Sequence, residues 1–242
     1  MAKVLTIRRG IVHVWPIPLS DPALVASLGT LLSGAERGRA DRLPCEAQRR
    51  AFVIAHGRTR EVLAGYLGAR PERLDFATGE HGKPRVRSGE KEPEIEFNLS
   101  HSGEIALVAV AQSQAVGIDI QKWNENLEYL AISQRFFSSS EHDNIAAANG
   151  NASLPHKFYS CWTRKEAYIK ATGYGISRGL GHFDVAVAPA PAVLREDRLD
   201  PDAPNRWRLE DLGVPSGYSA ALAVEGPLDL VVVQDPDVTN VV

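Results

Sequence analysis

The hydrophobic pattern in the middle of the chain predicts two strands in succession. Residues 104–111 are almost entirely apolar and rich in β-branched side chains, as in a strand that is buried on both faces. Residues 115–121, AVGIDIQ, alternate with a period of two, which places Gly117, Asp119 and Gln121 on the face opposite the aliphatic residues. An aspartate in such a strand is costly unless its charge is paired or bound to a metal. Asp119 is therefore a candidate functional residue.

A helical pattern covers residues 156–173, HKFYSCWTRKEAYIKATG, and Gly173 predicts its end. Glu166 and Lys170 lie one turn apart at the border of the apolar arc. Lys165 projects from near the middle of that arc, so its charge must reach water or a compensating partner. As an ordinary surface pair, Glu166 and Lys170 would contribute only about 0.2–0.5 kcal/mol. The apolar arc consists of Phe158, Cys161, Trp162, Tyr168 and Ile169.

Shorter helices and strands are predicted on both sides of this centre. Residues 20–22, Ser-Asp-Pro, form a helix start signal. Ser138 and Glu141 have the spacing of a capping box. Further segments are predicted as strands at 11–17, 74–76, 94–99, 207–209, 218–224 and 228–233, as helices at 23–32 and 127–137, and as turns or loops at 79–86, 100–103 and 146–155.

Arginines are concentrated between residues 36 and 60, where the apolar spacing predicts one helix with a buried face and a basic face. Nearby acidic residues balance most of these charges, which favours a solvated surface. Two or three guanidinium groups could still converge on a phosphate, because each binds two phosphate oxygens at once. The seven arginines are Arg37, Arg39, Arg42, Arg49, Arg50, Arg58 and Arg60.

Composition indicates a globular protein without a general affinity for polyanions. The chain of 242 residues is 44% hydrophobic and 24% charged, with a net charge of −3, so a phosphate site must be local. Cys45 and Cys161 fit no zinc spacing and no disulfide framework. The N-terminal residues are interrupted by Pro16 and Pro18 before any long apolar run, so neither a signal peptide nor a membrane span is expected. A cytoplasmic location is the resulting expectation.

Two carboxylates that could meet across a strand–helix interface suggest magnesium chemistry. Asp119 and Glu166 offer hard oxygen ligands without histidine or cysteine, a donor set that suits Mg²⁺ shared with substrate phosphates. Gln121 could add an amide oxygen or hold a water. The predicted reaction is a magnesium-assisted phosphoryl or phosphodiester transfer. Residues available for the phosphates are Lys83, His101, Lys165, Lys170 and some of the arginines.

Four ordered motifs resemble the Sfp-type 4′-phosphopantetheinyl transferases. VGIDI at 116–120 and WTRKEAYIK at 162–170 resemble the paired motif of that family, and HGKP at 81–84 and FNLSHSG at 97–103 match two further stretches in the family's order. RFFSSSEHD at 135–143 and GYSAALA at 217–223 are compatible as well. The resemblance covers most of the chain.

The resemblance implies a fold and a reaction. The fold would be α+β, with two similar halves, residues 1–112 and 113–242, about a pseudo-twofold axis and the active site between them. The reaction would transfer the phosphopantetheine arm of coenzyme A to a serine of an acyl or peptidyl carrier protein of fatty-acid, polyketide or nonribosomal-peptide synthesis, and would release adenosine 3′,5′-bisphosphate. A monomer without nucleic-acid or membrane partners is expected.

The same resemblance assigns roles to individual residues. Asp119 and Glu166 would bind Mg²⁺ with the pyrophosphate, Glu166 would act as base for the carrier serine, and Lys170 would neutralise the pyrophosphate or assist the leaving phosphate. His101 would take part in phosphate binding at the catalytic site. The residues expected to hold coenzyme A are Arg39, one of Arg49 or Arg50, Lys83, Ser100, His101, Lys165 and Lys170.

One residue departs from the family pattern. Many Sfp-type members carry a glutamate two residues after the motif aspartate, where this chain has Gln121. Loss of one carboxylate predicts an enzyme with a higher magnesium requirement. Gln121 also motivates an alternative, a catalytically weak protein that binds coenzyme A or a carrier protein. Nucleic-acid binding through the arginines of residues 36–60 is disfavoured by the interspersed acidic residues.

Overall fold

The computed structural model describes residues 5–79, 82–86, 94–148, 153–175 and 179–234. Its helices and strands come in separate runs along the chain, a mixed α+β arrangement that confirms the predicted class. The helices are α1 (Leu24–Leu31), α2 (Gly34–Asp41), α3 (Glu46–Leu67), α4 (Tyr129–Phe136), α5 (Ser139–Ala146), α6 (Ser153–Thr172) and α7 (Ala203–Arg206). The strands are β1 (Ile11–Pro18), β2 (Phe76–Thr78), β3 (Pro84–Val86), β4 (Ile95–Ser102), β5 (Ile105–Gln112), β6 (Val116–Lys122), β7 (Phe183–Val185), β8 (Leu194–Asp197), β9 (Trp207–Asp211), β10 (Tyr218–Glu225) and β11 (Leu230–Val233).

Two sheets form the centre of the molecule. The first has the strand order β11-β1-β5-β4, and the second has the order β6-β10-β9. Within the first sheet β1 pairs antiparallel with β5 and parallel with β11, with Ile11 opposite Leu230. β11 therefore returns from the end of the chain to the sheet of the first half, and the division near residue 112 stays a prediction. Two hairpins, β2–β3 and β7–β8, complete the strand pairing of the described residues.

Alternation along the strands creates three apolar layers. Odd-numbered residues of β1, such as Trp15, pack with α1 and α3 on one side of the first sheet. Even-numbered residues, such as Val12, pack between the two sheets against Ile118 and Leu222. The opposite face of the second sheet carries Ala221 and packs on α6. The layers thus follow the order helix, sheet, sheet, helix, and β5 is buried on both faces as predicted.

Side chains, rather than a backbone ladder, join the edges of the two sheets. β4 lies at the edge of the first sheet and β6 at the edge of the second, and three β4 side chains accept hydrogen bonds from alternate N–H groups of β6. We call the three accepting residues, Asn98, Ser100 and Ser102, the seam. The bonds run from Ile118 N to Asn98 Oδ1 (2.8 Å), from Ile120 N to Ser100 Oγ (3.4 Å) and from Lys122 N to Ser102 Oγ (2.9 Å). The seam satisfies an edge that would otherwise expose unpaired backbone donors.

The structure corrects several predicted boundaries. Residues 100–102 are strand rather than turn, and the turn begins at Gly103, whose φ is +57°. Residues 36–60 do not form one helix, because α2 ends at Asp41 and α3 begins at Glu46, with Pro44 between them. The strand predicted at 74–76 lies at 76–78 and pairs with β3, inside the segment predicted as a turn.

The C-terminal half contains two elements that the sequence pattern did not indicate, β8 and the short α7. The helix predicted at 156–173 begins earlier, at Ser153, and Gly173 follows its end with a φ of +77°. The predicted capping box of Ser138 and Glu141 is confirmed at the start of α5. Part of the loop predicted at 146–155, residues 149–152, lies outside the described residues.

Candidate active site

Close packing of β6 on α6 places the candidate residues opposite each other. A Cβ atom at position 117 would overlap the backbone oxygen of Ala167 and the backbone nitrogen of Ala171, so only glycine permits this approach. Asp119 lies two residues along the same strand face, and Glu166 and Lys170 lie on the helix that Gly117 contacts. The strand and helix motifs that the sequence singled out are therefore neighbours in space.

Asp119 is the buried centre of this cluster. Its side chain is 1% exposed, and its Oδ1 accepts hydrogen bonds from Lys170 Nζ at 2.6 Å and from Ser100 Oγ at 2.9 Å. Lys170 Nζ also donates to Ser100 Oγ at 2.9 Å. These contacts close a triangle of one carboxylate, one ammonium and one hydroxyl. The triangle compensates the buried charge of Asp119, as the strand pattern required.

Glu166 is half-buried next to this triangle. Burial raises the pKa of its carboxyl group, the negative charge of Asp119 raises it further, and the ammonium of Lys170 opposes both effects. Two mutually repelling carboxylates beside one another form an arrangement that a divalent cation relieves. A raised pKa also brings a carboxylate closer to the range in which it accepts a proton effectively near neutral pH.

Gln121 completes the polar face of β6. Its Nε2 donates a hydrogen bond to Asp119 Oδ2 at 3.2 Å. The second carboxylate oxygen of Asp119 is therefore bound by a neutral amide, whereas the first is bound by the charged Lys170. No group of three or more histidine, cysteine, aspartate or glutamate side chains is arranged for a metal among the described residues. Two carboxylates and one amide therefore fit a hard cation only if other oxygen donors complete its coordination, as substrate phosphates and water do for Mg²⁺.

A cavity of about 490 Å³ opens on the other face of β4. Phe97 and Leu99 of β4 line it, and His101 shares their strand face because side chains alternate. Across the cavity lie Arg39 of α2 and His56 of α3. β4 thus carries the seam on one face and borders this cavity with the other.

The lining of this cavity carries charges of both signs, because Glu36 and Asp75 line it together with Arg39 and Arg60. Burial lowers the pKa of His101, and the charges of His56, Lys170 and Arg39 lower it further. Arg39 lies over the ring of Phe52, with 5.6 Å between its Cζ and the ring centroid. Because Arg60 is paired with Glu36 at 2.7 Å, Arg39 is the lining arginine that is the candidate to attract an anion.

Helix geometry distinguishes the two adjacent arginines of α3. Arg49 lies three and seven residues before Phe52 and His56, so it shares their helix face toward the cavity. The side chain of Arg49 is exposed at the protein surface. Arg50 lies on a different face, and its Nε is buried without a hydrogen-bond partner among the described residues. The geometry therefore favours Arg49 for contact with a ligand.

Lys165 contradicts its predicted role at the phosphates. Its side chain is 0% exposed, and its Nζ lies 2.8 Å from Glu141 Oε2. The same nitrogen donates to the backbone oxygens of Leu180 at 2.8 Å and Phe183 at 2.5 Å. These partners use all three N–H donors of the ammonium group. Lys165 is a buried lysine whose charge is compensated by Glu141, and it is unavailable to a substrate.

Lys83 also lies away from the position expected of a phosphate ligand. Its Nζ donates to the backbone oxygens of Val116 at 2.9 Å and Ala171 at 3.3 Å, and it lies 3.9 Å from Glu96 Oε2. His81 of the HGKP motif lies outside the described residues. Ser100, expected at coenzyme A, instead bridges Asp119 and Lys170.

Two residues of this region were missed by the sequence reasoning. His56 lies in the cavity next to Arg39, and its spacing seven residues after Arg49 was the available signal. Glu141 was predicted only as a helix cap, but it also holds Lys165 and accepts from Val185 N at 2.7 Å. No local pattern connects Glu141 with a lysine in a different helix.

Two family models match consecutive parts of the chain. Residues 115–223 match the family model described as the 4′-phosphopantetheinyl transferase superfamily, and residues 21–113 match the one described as 4′-phosphopantetheinyl transferase, N-terminal. Among curated relatives, 4′-phosphopantetheinyl transferase HetI of Nostoc sp. is 35% identical over 229 residues, which cover 92% of this chain and 91% of the relative.

Two further relatives come from distant organisms. 4′-Phosphopantetheinyl transferase Sfp of Bacillus subtilis is 33% identical over 69% of this chain and 72% of its own length. The L-aminoadipate-semialdehyde dehydrogenase-phosphopantetheinyl transferase of Xenopus laevis is 28% identical over 75% of this chain and 64% of its own length. With two consecutive family models and relatives that align along most of its length, the chain belongs to the 4′-phosphopantetheinyl transferase family of enzymes.

Proposed function

We propose that this chain transfers the 4′-phosphopantetheine arm of coenzyme A to a serine of an acyl or peptidyl carrier protein in a magnesium-dependent reaction. The observation that carries the proposal is the position of Asp119, Glu166 and Lys170 on one side of β4 and of a cavity lined by Arg39 and His56 on the other. A cavity of about 490 Å³ has room for the nucleotide portion of coenzyme A. β4 separates this cavity from the carboxylates of Asp119 and Glu166.

The basic groups around the cavity would hold the phosphates of coenzyme A. Arg39 and His56 line the cavity, His101 shares the strand face of the lining residue Leu99, and Arg49 shares the helix face of His56. Each can donate hydrogen bonds to phosphate oxygens, and the arginines can do so in pairs. This set replaces Lys83 and Lys165 in the predicted ligand list.

Lys170 of the triangle and the neighbouring Glu166 would act at the reacting phosphate. The carrier serine oxygen attacks the phosphorus that bears the pantetheine arm, a new P–O bond forms, and the bond to the bridging oxygen breaks. Adenosine 3′,5′-bisphosphate leaves with that oxygen. Glu166 takes the proton of the serine hydroxyl, and Lys170 stabilises the charge on the phosphates.

Asp119 and Glu166 would hold Mg²⁺, with Gln121 contributing its amide oxygen or a bound water. The ion would supply neutralisation of the pyrophosphate charge. In that arrangement Ser100 and Lys170 would hold the side chain of Asp119 in place before the substrates bind. Preorganised oxygen donors of this kind need little rearrangement during the reaction.

Intact mass measurement of an apo carrier protein tests the proposal. The carrier is incubated with this protein, coenzyme A and Mg²⁺, with EDTA as control. A gain of one phosphopantetheine arm that disappears with EDTA is the expected result. No gain on fatty-acid, polyketide or peptide carriers would contradict it.

The second candidate function is a coenzyme A or carrier-protein binding protein with weak catalysis. The specific observation behind it is Gln121, whose amide nitrogen contacts Asp119 and which departs from the glutamate of the resembled Sfp-type pattern. Retention of coenzyme A without modification of any carrier would support this second function. We expect a monomer in either case, and mass determination in solution checks that expectation.

A further inference from the structure

The hairpin β2–β3 lies between two cavities. Gly82 and Pro84 line the cavity of about 490 Å³ that contains Arg39 and His56. Lys83 and Arg85 alternate with them and line a separate cavity of about 480 Å³ on the opposite side. The side chain of Lys83 therefore points away from the cavity of Arg39 and His56 and toward Val116 and Ala171 of the C-terminal half.

Two backbone oxygens of that half accept hydrogen bonds from the ammonium group of Lys83. One belongs to Val116, the first residue of β6, and the other to Ala171, in the last turn of α6. The carbonyls of a last helical turn lack intrahelical partners and carry partial negative charge, so a lysine there satisfies and stabilises the helix end. Gly173, with its positive φ, lies close to the Lys83 stem.

The contact joins elements on both sides of the reaction centre. Gly82 and Pro84 border the cavity assigned to the nucleotide, and Lys170, which contacts Asp119, directly precedes Ala171. Glu96 of β4 and Arg85 of β3 are the charged groups beside Lys83. The side chain of Lys83 is 10% exposed, and burial, opposed by the charge of Glu96, lowers its pKa to about 8.

We propose that Lys83 is a positioning residue that fixes the end of α6, and with it Lys170, to the hairpin that borders the nucleotide cavity. It acts through the carbonyls of Val116 and Ala171 and does not contact the phosphates. This inference rests on the proposed function for its kinetic consequence, but its structural part stands without it.

Lys83→Met tests the inference, because methionine keeps most of the stem and removes the ammonium. Hydrogen exchange of the amides at residues 168–173 should be at least about tenfold faster in Lys83→Met than in the wild type. Arg85→Met is the matched control, since Arg85 lies in the same hairpin, is 64% exposed and has its ion pair with Glu96 of β4 rather than with α6. Its exchange rates should equal those of the wild type. Exchange in Lys83→Met that is unchanged from the wild type would overturn the inference.

Ligand binding separates positioning from phosphate contact. If Lys83 positions α6, the dissociation constant of coenzyme A in Lys83→Met stays within about threefold of the wild type, whereas kcat for carrier modification falls at least about tenfold. A tenfold or greater weakening of coenzyme A with unchanged kcat would identify Lys83 as a phosphate ligand and reject the proposal.

Two precautions keep the outcome interpretable. If Lys83→Met does not fold, Lys83→Gln, whose donor nitrogen is one bond shorter and uncharged, takes its place in the same comparison. If the wild type does not modify any carrier, the proposed function fails, but the exchange measurement still decides the positioning role because it requires no reaction. Lys83→Arg, which keeps charge and donors, should retain exchange rates within about threefold of the wild type.

Discussion

A buried carboxylate requires compensation, and Asp119 receives it from two elements of different halves. Ser100 comes from β4 and Lys170 from α6, and both contact the same oxygen of Asp119. The alternation of residues 115–121 was sufficient to predict that Asp119 faces a partner. It was insufficient to identify Ser100 as that partner, because hydrogen bonding between distant strands leaves no periodic signal.

Lys165 shows a similar division between what local pattern predicts and what tertiary structure decides. Its place within the apolar arc indicated that its charge needs a partner, and Glu141 provides one. Assignment of Lys165 to the phosphates failed because the interior already contained an acid, on a helix distant in sequence. A buried pair of this kind is costly to break, since removal of one member leaves the other charged and unpaired.

Glu166→Gln should lower the rate of carrier modification at least about 100-fold, because an amide cannot accept the proton of the carrier serine. Single-turnover kinetics with an apo carrier protein measures the effect. Circular dichroism and the thermal midpoint should remain close to those of the wild type, since glutamine has nearly the same shape. A rate within threefold of the wild type would remove Glu166 from its role as base.

Gln121→Glu should lower the magnesium concentration at half-maximal activity several-fold, because a third carboxylate strengthens a site for a hard cation. The measurement is the initial rate across a magnesium titration at saturating coenzyme A. Gln112→Glu, which adds the same charge at the end of β5, is the control for a general effect of charge. An unchanged titration curve in Gln121→Glu would show that residue 121 does not influence the metal.

At the scale of elements, the approach of α6 to β6 determines whether the site exists. A glycine in a strand weakens it unless close backbone approach requires it, and the backbone of α6 lies against Gly117. The tight contact sets the distance between Asp119 and the helix that carries Glu166 and Lys170. The alternation of residues 115–121 that predicted Asp119 on a functional face also placed Gly117 on that face, where close packing of α6 requires a glycine.

Gly117→Ala should reduce the free energy of unfolding by at least about 1–3 kcal/mol, because the added methyl group overlaps the α6 backbone. Carrier modification should fall as well, since α6 must move away from Asp119. Urea unfolding and the transfer assay measure the two effects. Gly34→Ala is the matched control, because no atom lies within 4 Å of the added methyl group there. Equal stability of the two variants would contradict the packing argument.

The faces of α3 give a prediction that distinguishes two neighbouring arginines. Arg49→Ala should raise the KM for coenzyme A about tenfold, equivalent to about 1.4 kcal/mol, because Arg49 shares the helix face of the cavity residue His56. Arg50→Ala should change KM less than about twofold, since Arg50 faces elsewhere. Steady-state kinetics with variable coenzyme A provides both values. A larger effect of Arg50→Ala would reverse the assignment.

Element boundaries were predictable where the signal was local. The capping box at Ser138 and Glu141 and the end of α6 at Gly173 follow from side chains a few residues apart. Residues 100–102 were predicted as a turn because serine and histidine precede a glycine. They form a strand instead, because the seam serines accept hydrogen bonds from β6. The end of β4 is therefore stabilised by contacts with β6, which the local sequence of residues 100–102 does not reveal.

At the scale of the molecule, Gln114 connects the two ends of the fold. It lies in the link between β5 and β6 and is buried, and its Oε1 accepts from Gly10 N at 2.6 Å. Its Nε2 donates to the backbone oxygens of Glu225 and Pro227, both at 2.9 Å. One side chain thus joins the start of β1 to the segment between β10 and β11.

The described helices include none long and apolar enough to cross a membrane.

Gln114→Ala should lower the free energy of unfolding by about 2–4 kcal/mol, because three hydrogen bonds are lost and their backbone partners remain buried. Urea denaturation followed by tryptophan fluorescence measures the change. The residual activity at low temperature should stay near that of the wild type, since Gln114 does not contact the candidate site. A change below 0.5 kcal/mol would show that water replaces the amide at no cost.

The pairing of β1 with β11 has a consequence for the synthesis of the protein. β1 pairs with β11, which is translated long after it, since Ile11 lies opposite Leu230. Its other neighbour, β5, is translated well before β11. Until β11 has been made, the nascent sheet of β1, β5 and β4 therefore keeps an open edge at β1.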